Sequence, residues 1–241
     1  MSAAAFTDEE QMAVVMARLL RGLRHVAVGA LSPLPASAAL LAQALDGQLQ
    51  VTILGSKRYL KFTDGGRELF DCAAQGRIDA FFLSGVQIDG EANINLVGVG
   101  DYAKPDKRFP GSFGSAYLYH LVPKVILFRQ EHTPRILVPK VDFVSAAGRS
   151  PSNVYRPGGP RHLVTGRAEF AFGERGFSLV STHGGASAAD IEASTGFAFA
   201  RAAEVPSTPP PGAEELAALR GPVKAAVAEI YPAFASRAFG G

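Results

Sequence analysis

The sequence predicts an α/β protein built on an open, mostly parallel sheet with flanking helices. Three observations predict it. Short apolar runs at residues 25–29, 49–54, 78–83 and 122–128 recur along the chain. They are continuously apolar rather than alternating, the pattern of strands covered on both faces. Helical or looped stretches stand between them, as the crossovers of parallel strands require.

Each element has its own signal. Thr7 followed by Asp8, Glu9 and Glu10 marks a helix start, with a hydroxyl to cap free amides and acids suited to the positive end. Met12, Val15, Met16, Leu19 and Leu20 follow at helical spacing, and Gly22 ends the helix. Residues 32–37, with Pro33 and Pro35, read as a loop before a small-residue helix at 38–45. A helix is expected at 69–76 before the 78–83 strand, a further strand at 135–138, and β-prone chain at 141–144. Residues 145–165 form an irregular excursion around the Arg156-Pro-Gly-Gly-Pro160 turn. Residues 168–172 and 177–181 form a hairpin, and Ser187 opens a short capped helix. Residues 204–212 hold four prolines and read as a linker to a last amphipathic helix at 213–230. The whole, 1–241, is expected to be one domain.

Composition narrows the function. A chain of 241 residues, 47% hydrophobic and 19% charged, can bury a sizeable core. A net charge of +2 offers no nucleic-acid surface. The single cysteine, Cys72, cannot form an internal disulfide or a Cys-rich zinc site, and reads as a small buried hydrophobe. Acids stand near the N-terminus where an export signal would carry bases, so no such signal is expected. The apolar stretch 26–45 is broken by Pro33 and Pro35, so no membrane span is expected and a cytoplasmic location is. The five histidines, at 25, 120, 132, 162 and 183, lack ligand spacing, so no metal is expected. Neither a G-x-S-x-G elbow nor a Walker loop occurs.

Two glycine-bearing stretches remain. One carries Gly85, Gln87, Asp89, Asn93 and Asn95 directly after the 78–83 strand; the other carries Gly111, Ser112, Phe113 and Gly114. Parallel sheets bind ligands at the carboxyl ends of their strands. Glycine there lets backbone amides approach a ligand oxygen, and the amide side chains can orient a carbonyl. The same residues also suit tight turns whose side chains bond their own backbone. Gly111-x-x-Gly114 matches one RNA-binding clamp, a short pattern that the charge balance does not support. Glu131 and His132 are neighbours after a strand, so only one of them can face a pocket.

On these loops the sequence resembles the β-subunits of the glutaconate CoA-transferase family. Gly85-Val-Gln-Ile-Asp-Gly-Glu-Ala-Asn-Ile-Asn95 is similar to their G-x-Q-x-D-x-x-G-N-x-N stretch. Gly100-Asp-Tyr102, Lys107-Arg-Phe-Pro-Gly-Ser-Phe-Gly114, Glu131-His132, Lys140-Val-Asp-Phe-Val144 and Ile191-Glu-Ala-Ser-Thr-Gly-Phe197 continue it, as does the opening from Glu10-Gln-Met-Ala-Val14 to Val28-Gly29. The resemblance covers most of 8–200 in order. It implies an open α/β sheet, an α-type partner subunit with the active site between the two chains, and a coenzyme A thioester as substrate with no permanently bound cofactor. Such enzymes use a β-subunit glutamate in an E-S-G or E-N-G turn as a covalent nucleophile.

Leu54 stands where that glutamate should be, and no Asp or Glu lies between Asp46 and Asp64. Ala92 and Phe113 also stand where the family pattern has glycine. Three readings follow. The chain belongs to an enzyme acting on acyl-CoA thioesters without a glutamyl relay, as in the family branch that opens carbocyclic rings of steroid-derived thioesters with an α-subunit acid. Or transfer proceeds with a nucleophile from elsewhere, Glu68 and Asp71 being the nearest later acids. Or the chain is a non-catalytic binding or regulatory subunit. In the first, Gln87, Asn93, Asn95 and the amides of 111–114 would hold the thioester or an oxyanion. No basic cluster for the phosphates of coenzyme A is evident in the sequence.

Overall fold

The computed structural model describes residues 5–239. Part of the export-signal reading rests on 1–4, and the expected domain ends at 240–241; both lie outside the described residues. In chain order the elements are α1 (Asp8–Arg18), β1 (His25–Val28), α2 (Pro33–Asp46), β2 (Gln50–Ile53), α3 (Gly65–Ala74) and β3 (Ala80–Leu83). Two short hairpins follow, β4 (Gln87–Ile88) with β5 (Ile94–Asn95) and β6 (Gly98–Val99) with β7 (Lys107–Arg108). Then come α4 (Ser115–Leu121), β8 (Lys124–Arg129), β9 (Pro160–Thr165), β10 (Ala168–Gly173), β11 (Gly176–Thr182), α5 (Ala188–Ser194) and β12 (Ala200–Arg201). The chain closes with α6 (Ala213–Ala218), a π-turn (Leu219–Val223), α7 (Lys224–Ile230) and α8 (Pro232–Ala238).

These elements form two compact units. One holds the chain up to Cys72, Arg77–Phe82 and the chain from Pro209; the other holds Ala73–Gly76 and Leu83–Thr208.

In the first unit, β1 pairs in parallel with β2 on one side and β3 on the other, His25 opposite Gln50 and Val26 opposite Ala80. All four β1 residues are buried, as the unbroken apolar run predicts. Thr7 caps α1 through the amide of Glu10, whose carboxylate returns to the Thr7 amide, a full capping box. Residues 10–17 are all buried, Glu10 and Gln11 among them, a wider buried face than the five-residue apolar stripe predicts. The first correction concerns 32–37, expected as a loop. Helix α2 already begins at Pro33, because Pro33 and Pro35 fall in the first turn, where amides have no helical partner to lose. A second correction concerns 213–230, expected as one helix. Gly221 leaves helical geometry at φ −97°, ψ −106° and Pro222 follows it, so the segment breaks into α6, the π-turn and α7. The break is tied down by Arg220, whose guanidinium donates to both oxygens of the fully buried Glu10 carboxylate at 2.7 and 2.8 Å. Arg18 holds Glu215 and the carbonyls of Pro209 and Pro210.

In the second unit the strand order is β8-β9-β10-β11-β12, with β8–β9 and β11–β12 parallel and β9–β10–β11 antiparallel. The expected 168–181 hairpin is the β10–β11 pair. Its inner face buries Phe170 and Phe177, which pack with Phe197 and Phe199 at ring separations of 5.1–6.1 Å. Each such ring contributes about 1.5–3 kcal/mol by leaving water. Two strand expectations are corrected. Residues 135–138 form no strand; Leu137 makes one bridge to Ile88. Ile136, Leu137 and Val138 are apolar because the 87–95 loop covers them: the Ile88 amide bonds the Ile136 carbonyl, and the Val138 amide bonds the Ile88 carbonyl. Residues 141–144 are likewise irregular. A further correction falls on 145–165, expected to be irregular throughout: its end, Pro160–Thr165, is β9, paired with β8 and β10. The short strand β12 and helix α4 are also not among the expected elements.

Candidate functional site

The stretch after β3 is built on Asp89. One carboxylate oxygen accepts the amides of Glu91 and Asn93 at 3.1 and 3.0 Å. The other accepts the Asn93 side-chain amide at 3.1 Å and the Val141 amide at 3.3 Å. This closes a turn in which Ala92 takes φ +57°, a left-handed conformation that favours glycine, hence the glycine at this place in the family pattern. The Ala92 carbonyl accepts the buried Tyr119 hydroxyl at 2.7 Å. Gly85 lies so close to the chain that a β-carbon would meet the Gln87 carbonyl oxygen at 2.7 Å.

Gln87, Asn93 and Asn95 are brought together here, and their polar atoms serve the loop itself. Asn95 donates to the Gln87 side-chain oxygen at 2.8 Å and the Gly98 carbonyl at 2.6 Å. Gln87 donates to Asp142 at 2.9 Å and accepts the Asp142 amide at 3.0 Å. Asn93 accepts the Gly148 amide at 3.1 Å. Gln87 and Asn95 are buried, so the network is a satisfied interior bracket. Asp89 and Asp142 are the two members of this bracket that the sequence reading did not weigh as its anchors. Asp89 closes its turn locally, through Glu91 and Asn93, but Val141 lies 52 residues from it and Gln87 55 residues from Asp142, beyond any local signal.

Gly111, Ser112, Phe113 and Gly114 differ in character. Phe113 is 83% exposed. Gly111 donates to the Leu96 carbonyl at 3.3 Å, which ties this segment to the bracket. Gly114, at φ +63°, turns the chain into α4. Beside it lies an open groove of about 490 Å³ lined by Val97, Arg108, Phe109, Pro110 and Ser112.

In the other unit, Leu54 lies one residue past β2, at the carboxyl end of the strand. Its amide donates to the Val28 carbonyl at 3.0 Å, its side chain is half-buried, and Gly55 follows at φ +86°. The turn has the shape of a strand-end site with an apolar side chain at its tip. The later acids, Glu68 and Asp71, both lie on α3. Glu68 accepts the Thr63 hydroxyl and the amides of Thr63 and Asp64, and these bonds, the hydroxyl's first, hold its carboxyl below the ordinary range. Asp71 is exposed on α3. A second groove in this unit, about 720 Å³ beside Leu20, Arg21 and Ala42, is walled by the Arg18–Glu215 ion pair.

Glu131 and His132 separate as alternate strand-end residues must. Glu131 bonds Arg135 and Thr133, which lower its carboxyl. His132 is buried between the hydroxyls of Thr165 (2.8 Å) and Thr195 (3.0 Å). Burial, reinforced by Arg167 and His183, pushes its imidazole down to about 4. Among the described residues no group of three or more His, Cys, Asp or Glu is arranged to hold a metal, and no helix is long and apolar enough to cross a membrane.

Comparison with known proteins places this geometry. The family model described as Coenzyme A transferase matches residues 44–156. The β-subunit of the 3-oxoadipate CoA-transferase of Pseudomonas knackmussii is 31% identical over 247 residues, covering 90% of this chain and 93% of its own. The cholesterol ring-cleaving hydrolase IpdB subunit of Rhodococcus jostii is 26% identical over 234 residues, covering 89% and 91%. Among solved structures, a chain of the decarboxylase AibA/AibB superposes with a TM-score of 0.78 at 27% identity, over 98% of this chain and 100% of that one.

Proposed function

Because the chain belongs to the coenzyme A transferase family, we propose that it is the β-type subunit of a two-subunit enzyme acting on acyl-CoA thioesters of carboxylic acids, with no glutamyl relay on this chain. One observation carries the second half: the turn after β2 presents Leu54, and a leucine has no carboxylate to form an anhydride or a thioester. Coenzyme A enters as substrate, and a cytoplasmic setting completes the reading. In this reading the Asp89–Gln87–Asn95 bracket is scaffold: it holds the neighbouring backbone still without reorganising during reaction. Gly85, Gln87, Asn93 and Asn95 line the scaffold side of the substrate site, and the amides of Gly111, Ser112, Phe113 and Gly114 face the thioester carbonyl.

A second reading is favoured by the same leucine together with the likeness to a ring-cleaving hydrolase subunit. There the complex adds water to a carbocyclic ring of a CoA thioester, and the catalytic acid comes from the α-type partner. Steady-state assay of the co-expressed complex separates the two. Transfer gives a new thioester in step with consumption of an acceptor acid; ring hydrolysis gives a ring-opened product that keeps its thioester and needs no acceptor. Absence of turnover with either, across a broad panel, overturns both and leaves a non-catalytic subunit.

A further inference from the structure

The cations that the sequence disperses are gathered by the β6–β7 hairpin. Val99 pairs with Lys107 and Gly98 with Arg108, so the turn carrying Lys104 and the two basic strand residues form one exposed unit. Arg108 lines the 490 Å³ groove together with Phe109 and Ser112. The Lys107 ammonium lies 5.3 Å from the centre of the ring of Phe109, itself a lining residue of that groove. The Arg108 guanidinium lies 5.4 Å from the Tyr102 ring, which stacks on Phe143 at 4.7 Å.

Among the described residues, Lys104, Lys107 and Arg108 enter no ion pair, whereas Arg18, Arg24, Arg58, Arg149, Arg201 and Arg220 are each paired with an acid. The acids on the hairpin, both exposed, contact its own backbone: Asp101 accepts the Ala103 amide at 2.9 Å, and the Asp106 carboxylate packs against Gly100. The groove and its rim thus set Arg108, with Lys107 beside it, against the ring of Phe109, the combination that takes a phosphorylated aromatic base. Its lining includes Ser112, inside the 111–114 loop. Three residues of chain separate Arg108 from Ser112, so four Cα steps span at most about 14 Å.

We propose that this groove binds the phosphorylated adenosine end of the CoA thioester, with Arg108 and Lys107 on its phosphates and the thioester running towards residues 111–114. The inference rests on the acyl-CoA reading above and adds the subsite for the nucleotide. The test uses the complex of this chain with its α-type partner, as parent, Arg108→Ala and Arg108→Lys. Each is assayed with an acyl-CoA and with the matching acyl-pantetheine, which lacks the nucleotide and its phosphates. Arg108→Ala should raise KM for the CoA ester about tenfold or more, leave kcat unchanged, and leave KM for the pantetheine ester where it was. Arg108→Lys should fall between. Equal changes for both esters, or no change for either, overturn the subsite. Calorimetric titration with adenosine 3′,5′-bisphosphate, which needs no turnover, decides the case if the complex proves inactive. Binding by the parent that is weakened in Arg108→Ala keeps the subsite and discards only the reaction; no binding by the parent discards the subsite. Unchanged thermal unfolding of each variant shows that the change is local.

Discussion

A single carboxylate shapes most of the 85–95 loop. Asp89 accepts three amides and one side-chain donor, and it is 3% exposed. Asp89→Ala strands those donors in a dry place, so stability should fall by about 2–4 kcal/mol; a urea titration that finds less than about 0.5 kcal/mol would contradict the role. Leu31 is the opposite case. It sits at φ +56° and is 88% exposed, so it bears left-handed strain with little burial in return. Leu31→Gly should raise stability by about 0.5–1 kcal/mol, the relief exceeding the extra chain entropy of glycine; a lowered melting temperature would contradict this. What was legible at this scale was whatever acts locally: the Thr7 cap, the Ser187 cap and the absence of an acid around Leu54. The bonds from Asp89 to Glu91 and Asn93 are local, but its bond to Val141 and the Asp142 bonds to Gln87 were not legible, because those partners are 52–55 residues away.

At the scale of elements, long unbroken apolar runs were read correctly as β1, β2, β3 and β8, and the glycine-bounded hairpin as β10–β11. Apolar residues at 135–138 misled because burial beneath a loop and burial in a sheet select the same side chains. Prolines misled in both directions. At α2 they were read as a loop although they open a helix, and at 222 Pro was passed over although it helps end one. The broken C-terminal segment is fastened through Arg220 to the buried Glu10. Arg220→Met removes the guanidinium and leaves Glu10 with the Thr7 amide, so the urea midpoint should fall, and Arg220→Lys should recover part of the loss. An unchanged midpoint in Arg220→Met would contradict the fastening role.

For the chain as a whole, the parallel α/β class was legible because both the covered strands and their spacing are written in composition. The pH response was not, since it depends on which histidines are enclosed. His132 is held neutral, down to about 4, by burial first and by Arg167 and His183 after it; burial lowers His25 as well. The unfolded chain takes up its protons near pH 6.5. Between about 6.5 and 4 the unfolded state therefore binds protons that the folded state refuses, and stability falls as pH falls; above that window His132 has no effect. The loss from His132 should reach about 3 kcal/mol by pH 4. Urea midpoints at pH 7 and pH 4.5 should converge in His132→Gln, and an unchanged pH slope in that variant would contradict the assignment.

The central claim is that this chain serves acyl-CoA chemistry without carrying the nucleophile. The most direct measurement is intact mass of this chain and of its α-type partner after the complex has turned over an acyl-CoA in the presence of hydroxylamine or borohydride. Turnover is expected with no acyl, hydroxamate, reduced or CoA adduct on this chain. An adduct on one of its carboxylates, with Glu68 and Asp71 the first to be mapped, would contradict it.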